Sequence, residues 1–216
     1  KRDACYEAPT RHCILSVAVF EANKIDESYW RSLALSEIAD AQAKAGDVKS
    51  AFATAKTIED TKNRSFALSA ISERQAKAGD ISSAFATAKT IEDSTYRSSA
   101  LSAIAEAQAK SDEIIASRST YASAIKSAKA IQEAKQRPSA ISEIALSQLT
   151  AGDIKASQST FGLAINLAET IENSKHRSFA LCGVAQAQAK AGDIKAAFAT
   201  VKMIDDAFWR LYALNE

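Results

Sequence analysis

The sequence predicts an all-α protein built as a solenoid of stacked antiparallel helix pairs. Three observations predict it. The 216 residues include only 6 Gly and 2 Pro, and Ala dominates the apolar set. Ala is the best helix former, and Gly and Pro are the main breakers. The second observation is internal recurrence. Residues 34–60 read ALSEIADAQAKAGDVKSAFATAKTIED, residues 67–93 read ALSAISERQAKAGDISSAFATAKTIED, and residues 180–206 read ALCGVAQAQAKAGDIKAAFATVKMIDD. The third is an Arg at the start of every unit: Arg31, Arg64, Arg97, Arg137, Arg177 and Arg210, at spacings of 33, 33, 40, 40 and 33 residues. Periods of this length are the signature of stacked supersecondary units.

The chain reads in order as one repeat domain over 1–216. Residues 1–30 form an N-terminal segment and a capping half-repeat, because 18–31 (AVFEANKIDESYWR) align with the second half of a unit. Five helix pairs follow at 31–63, 64–96, 97–136, 137–176 and 177–209. Residues 210–216 begin a further first helix. In the first unit, Leu35, Ile38, Gln42 and Ala45 draw one stripe at helical spacing. Gly46 is suited to the left-handed residue just past a helix end, and Asp47 to the N-cap of the next helix. Val48, Ala51, Ala55 and Ile58 carry the second stripe. Gly79, Gly152 and Gly192 mark the same turn elsewhere. The third unit has Lys110-Ser111-Asp112 instead, which predicts a differently closed turn. The two long units share Ser117-Arg118-Ser119-Thr120-Tyr121 and Ser157-Gln158-Ser159-Thr160-Phe161. Seven extra residues are about two helical turns, so they are expected to lengthen the second helix without rotating its face. Neither helix of a pair can bury its stripe alone; stacked units bury it together.

A unit of this length with Gly-Asp between two helices resembles the tetratricopeptide repeat, through Ile38-Ala39, Gly46-Asp47, Ala51, Ala55 and their equivalents over about residues 31–210. Leu35 and Gln42 stand where that family has aromatic residues, and its closing Pro is absent. The resemblance implies a right-handed superhelix whose first helices line a concave groove for a peptide or protein.

Three polar columns are the expected partner contacts on the first helices: Ser36, Ser69, Ser102 and Ser142; Asp40, Glu73 and Glu106; Lys44, Lys77, Lys110 and Lys190. The competing reading is a solvated face with Asp40–Lys44 and Glu106–Lys110 as i,i+4 pairs. The Lys/Asn/Arg carboxylate clamp of some family members is not matched. The Arg column is preceded by acids at helical spacing (Asp60, Asp93, Glu133, Asp206), which predicts structural pairs between units. The buried-stripe Gln42, Gln75, Gln108, Gln148 and Gln188 are expected to bond between helices.

Catalysis has little basis. His12 and His176 are the only histidines, and no Gly-rich phosphate loop is present. Cys5, His12 and Cys13 lack the fourth ligand a zinc site usually has. No catalytic residue, metal or cofactor is expected. A net charge of +1 argues against a nucleic-acid binder, and no apolar run reaches the ~20 residues of a membrane span. Cys182 replaces a Ser of sister units and reads as a small packing residue. Cys5 and Cys13 are bridged in an oxidising compartment or are two thiols in a reducing one. With the absent initiating Met, they favour an exported or periplasmic protein over a cytoplasmic one. The expected function is a non-enzymatic scaffold for a protein or peptide. The alternative is self-assembly through the open terminal half-repeats, with a homo-oligomer as the product.

Overall fold

A computed structural model describes Cys5 and residues 9–215. Those residues form twelve α-helices and no strand. They are α1 (Arg11–Ala22), α2 (Ser28–Lys44), α3 (Val48–Ala55), α4 (Thr61–Lys77), α5 (Ile81–Thr90), α6 (Ser94–Lys110), α7 (Ile114–Lys129), α8 (Arg137–Thr150), α9 (Ile154–Glu169), α10 (Ser174–Lys190), α11 (Ile194–Val201) and α12 (Ala207–Leu214). The chain divides into two compact units, Lys1–Ala100 and Leu101–Glu216, with the boundary inside α6. In the first, α2 packs on α3, α4 on α5, and the first helices α2 and α4 lie side by side. In the second, α8 packs on α9 and α10 on α11, with α8, α10 and α12 as successive neighbours.

The turns form for the reasons written in the sequence. Gly46, Gly79, Gly152 and Gly192 take φ of +84°, +84°, +83° and +80°. Each lets the next N–H reach back five residues, as Asp47 N–H does to the Gln42 carbonyl at 3.0 Å and Asp80 N–H to Gln75 at 2.9 Å. This closure satisfies carbonyls that a helix end leaves open. The Asp that follows caps the second helix: Asp47, Asp80, Asp153 and Asp193 accept from the N–H groups of Ser50, Ser83, Ala156 and Ala196. The third turn closes the same way with different residues. Asp112 takes the glycine place at φ 62°, and Glu113 N–H reaches the Gln108 carbonyl at 2.9 Å. Glu113 occupies the cap place but makes no side-chain cap bond.

The apolar stripe of α2 is turned from its expected setting. Leu35, Ala39, Gln42 and Ala43 are buried, Ile38 is half-buried, and Ala45 is exposed. Small residues set the spacing within each pair: Ala39 and Ala51 are both fully buried, and Ser72 Oγ donates to the Ala84 carbonyl at 2.9 Å. Helix separation follows the side chains at the contact, so these positions draw the axes close.

The seven extra residues of the long units do lengthen the second helix. α7 and α9 have 16 residues each, against 8 in α3, 10 in α5 and 8 in α11. Tyr121 and Phe161 fall at equivalent places and are buried in one apolar cluster with Ile141, Ile144 and Val184. Cys182 is buried with Leu181, Ile171 and Ile204. At the other end, Cys5 and Cys13 form a disulfide. His12 Nδ1 lies 2.7 Å from Asp47 Oδ2, which ties α1 to the start of α3.

Candidate functional site

The sequence singled out the first helices, and the structure separates their three polar columns. Ser36, Ser69, Ser102 and Ser142 are all buried, none more than 8% exposed. Ser36 Oγ donates to the Leu33 carbonyl at 2.7 Å and Ser142 Oγ to the Pro138 carbonyl at 2.9 Å. These serines are inside the helix packing. The same turn of the helix that buries Ala39 also brings the serines inward.

The acids and lysines form pairs one helical turn apart. Lys44 Nζ is 2.7 Å from Asp40, Lys77 Nζ 2.5 Å from Glu73, and Lys110 Nζ 2.6 Å from Glu106. All three ammonium groups are exposed, whereas the Asp40 side chain is only 13% exposed. The Asp40 carboxylate, by its hydrogen bond and its charge, raises Lys44 above the ordinary lysine range, and Glu73 and Glu37 add to the effect. In the first unit an open cleft of about 490 Å³ lies beside this residue, lined by Arg11, Ile14, Leu15, Ala41 and Lys44. The second unit keeps the pattern at Glu106–Lys110 and then breaks it: Leu146 and Thr150 stand where an acid and a lysine would, and Gln186 precedes Lys190 by one turn.

A polar group unmarked by sequence reasoning occupies the gap. Ser147 Oγ lies 3.0 Å from the Tyr121 hydroxyl and 3.3 Å from Glu106 Oε2. Burial pushes the Tyr121 phenol up to about 12, opposed by its bond to Ser147.

The Arg column does not pair with the acids four residues before it. Asp60, Asp93 and Asp206 are N-caps, accepting from Asn63, from Thr95 and Tyr96, and from Phe208 and Trp209. The arginines instead donate backwards to the carbonyls just past the preceding second helix. Arg31, Arg64, Arg97, Arg137, Arg177 and Arg210 reach Ile25, Ile58, Ile91, Ile131, Ile171 and Ile204 at 2.6–3.0 Å. Three also reach forward to the next junction: Arg31 to Glu59, Arg64 to Glu92 and Arg177 to Asp205. The neighbouring serine completes the junction. Asp60, Asp93 and Asp206 give their N–H to Ser32, Ser65 and Ser178 at 3.2–3.3 Å. The Arg-Ser dipeptide is therefore a structural clamp, and its recurrence in the sequence is the signal that could have found it.

The Gln column behaves as expected in four of five places. Gln42, Gln75, Gln108 and Gln188 accept from Thr54, Thr87, Thr120 and Thr200 at 2.7–2.8 Å. Gln148 Oε1 is buried without a partner. Among the described residues no group of three His, Cys, Asp or Glu side chains is placed to hold a metal, and no helix is long and apolar enough to cross a membrane.

No family model matches the chain, and no curated protein does. A solved structure does, the crystal structure of Ton1535 from Thermococcus onnurineus NA1, with a TM-score of 0.60 at 19% identity. The match covers 83% of this chain and 56% of that one. At this identity the likeness is one of fold.

Proposed function

We propose that the chain is a non-catalytic binding scaffold of tetratricopeptide-like helix pairs wound as a right-handed superhelix, holding an extended peptide or partner helix on the faces of its first helices. The observation that carries this reading is the recurring acid–lysine pair, Asp40–Lys44, Glu73–Lys77 and Glu106–Lys110, with every ammonium turned to solvent. Within the first unit Asp40–Lys44 and Glu73–Lys77 sit at one register on neighbouring helices, so an extended chain meets the same donor and acceptor at each step there. Ser36, Ser69, Ser102 and Ser142 drop out of the contact surface because they are buried. The cleft beside Lys44 adds an apolar floor formed by Ile14, Leu15 and Ala41 with Arg11 at its rim, which favours an acidic segment bearing an apolar side chain. In the second unit, Lys110 and Lys190 hold the equivalent places on their own helices. The partner class is protein or peptide, neither nucleic acid nor lipid bilayer. The Cys5–Cys13 bridge supports an oxidising compartment, where such bonds persist.

Selection of peptides from a random display library on the purified chain tests the reading. Selected peptides should carry acidic residues and weaken as salt rises, since exposed charges are screened over about 8–10 Å at physiological ionic strength. Reversal of Lys44 and Lys77 to Glu should weaken them at least tenfold while circular dichroism stays unchanged. Peptides that bind both proteins equally well would remove the first-helix face as the site.

A further inference from the structure

The first-helix face of the first unit has a repeat distance. α2 and α4 lie side by side. At one end, Asp60, the cap of α4, gives its N–H to Ser32 near the start of α2. At the other, Arg74 Nη2 on α4 donates to the Lys44 carbonyl at the end of α2, at 3.4 Å. The two helices therefore point the same way, and the ends that carry Lys44 and Lys77 are adjacent. Lys44 and Lys77 stand 33 residues apart, one period of the repeat, and each pairs with the acid one turn before it. Axes of packed helices lie ~8–10 Å apart, so equivalent side chains on α2 and α4 recur across the face at that distance.

The distance discriminates between conformations of a bound chain. A β-strand repeats a face every second residue, at ~7 Å, and every fourth, at ~13 Å; neither step fits. A polyproline II segment has three residues per turn, so every third side chain falls on one face at ~9 Å. An α-helix returns to one face after seven residues, at ~10.5 Å, but its backbone groups are already bonded to one another. Those of polyproline II are not. The α2–α4 face offers partners to such free groups: the ammonium donors of Lys44 and Lys77, 68% and 55% exposed, and the Glu73 carboxylate, 42% exposed, as acceptor. Its charge also selects. Three cations, Lys44, Arg74 and Lys77, stand at the adjacent ends with two acids, Asp40 and Glu73. Arg74 is bonded to a carbonyl and to neither acid, and Asp40 is only 13% exposed. Glu37 stands two turns before Lys44 on α2. The outermost groups at these ends are thus mainly cationic, which suits an acidic chain.

We infer that the occupant of the α2–α4 face is an acidic polyproline II segment with a carboxylate at every third residue, one carboxylate to each first helix. This rests on the first-helix reading of the binding site and names its partner by chemistry: a proline-rich stretch of protein whose acidic residues fall at i and i+3. Proline fixes φ near about −65°, and the residue before it is held extended. Such a stretch is formed before it binds and loses little freedom on docking. Proline has no N–H, so the acidic residue supplies the one that Glu73 accepts, while its carboxylate meets a lysine.

Titration of the whole chain with synthetic peptides, followed by amide NMR shifts, tests it. Three peptides share the same proline flanks and carry two glutamates separated by one, two or three prolines. A fourth is a helical, alanine-rich peptide with its two glutamates seven residues apart. The two-proline spacing should bind about two- to fivefold tighter than either other proline peptide, the scale of one further exposed ion pair, and should shift amides at the ends of α2 and α4. Lys77→Glu, on an exposed side chain, should erase that preference with an unchanged helix spectrum. Equal affinity for all three spacings, weakened by Lys44→Glu, overturns the inference but leaves the first-helix face as the site. Tighter binding of the helical peptide overturns it in favour of a partner helix. Absence of shifts in α2 and α4 with every peptide overturns it as well, and affinities untouched by both substitutions remove the face itself.

Discussion

At the scale of single residues, the same small set of side chains does different work in different units, and the differences are measurable. Asp112 holds φ 62° where four other turns have Gly. Non-glycine residues in that region carry a steric cost of roughly 1–2 kcal/mol, reduced for Asp. Asp112→Gly should therefore stabilise the chain by about 0.5–1 kcal/mol in urea unfolding, and no change would show that the turn is not strained. The Gln–Thr bonds give a comparison inside one molecule. Thr87→Val leaves the Gln75 oxygen buried and unbonded, at a cost of about 1–3 kcal/mol. Thr160→Val should cost measurably less, because Gln148 Oε1 already lacks a partner; equal costs would mean that the bond to Gln75 contributes nothing. The turn residues and the buried glutamines were legible in the sequence because Gly, Asp and Gln carry specific backbone and bonding demands. The setting of Ser36 was not. Recurrence at helical spacing identifies a column, but a small hydroxyl fits either face, and the stripe through Leu35 and Ala39 is rotated from the one through Leu35 and Ile38.

At the scale of helices and junctions, the carboxylate caps set a pH response. Hydrogen bonds from Ser50, Ser83 and Ala156 hold Asp47, Asp80 and Asp153 below the usual carboxylate range. A depressed folded-state pKa means that the caps contribute fully above the unfolded value of about 3.9, and that the contribution is lost as pH falls through the lower folded values. The thermal midpoint should thus drop below about pH 4, and replacing the three by Asn, which still caps, should flatten that drop. A variant with the same acid profile as wild type would place the response elsewhere. The Arg clamp predicts a second effect. Arg64 donates to Ile58, Glu59 and Glu92 at once, a fork that the point charge of Lys cannot reproduce. Arg64→Lys should cost up to about 1.5–3 kcal/mol, the range for bonds to charged groups, read from denaturant midpoints; a cost below a few tenths would deny the clamp its role. The sequence misassigned this pairing for a clear reason. Acid and Arg four apart face each other only within one continuous helix, and Asp60 lies outside, bent onto the N–H of Asn63. The lengthened α7 and α9 were legible, because seven residues preserve helical phase.

At the scale of the whole molecule, each helix finds its partners among near neighbours in sequence, so stability is expected to be a sum of local terms. Ile71 and Ile144 are both at most 1% exposed, and truncation of either to Ala should cost about 2–5 kcal/mol. Hydrogen exchange should show the loss of protection concentrated in residues 1–100 for Ile71→Ala and in 101–216 for Ile144→Ala. Uniform loss along the chain would mean that the two compact units unfold as one. The all-helical class was readable from composition and recurrence. Which side of each first helix a polar column faces was not, because orientation is not encoded in one-dimensional recurrence.

The clamp also bears on how such a chain can change length. The Arg64–Glu92 and Ser65–Asp93 bonds both span 28 residues, inside a 33-residue period. Any tandem copy of 64–96 placed after Ser94-Thr95-Tyr96 would therefore bring its own donors and acceptors in register, and the residue before each copied Arg would still follow an Ile junction such as Ile91. Gene duplication by whole periods is bond-neutral here, whereas gain or loss of a partial period orphans an Arg and a Ser at once. The molecule is in this sense modular in its genetics as well as its packing, and units can be added or removed as blocks of coding sequence without redesign of their neighbours.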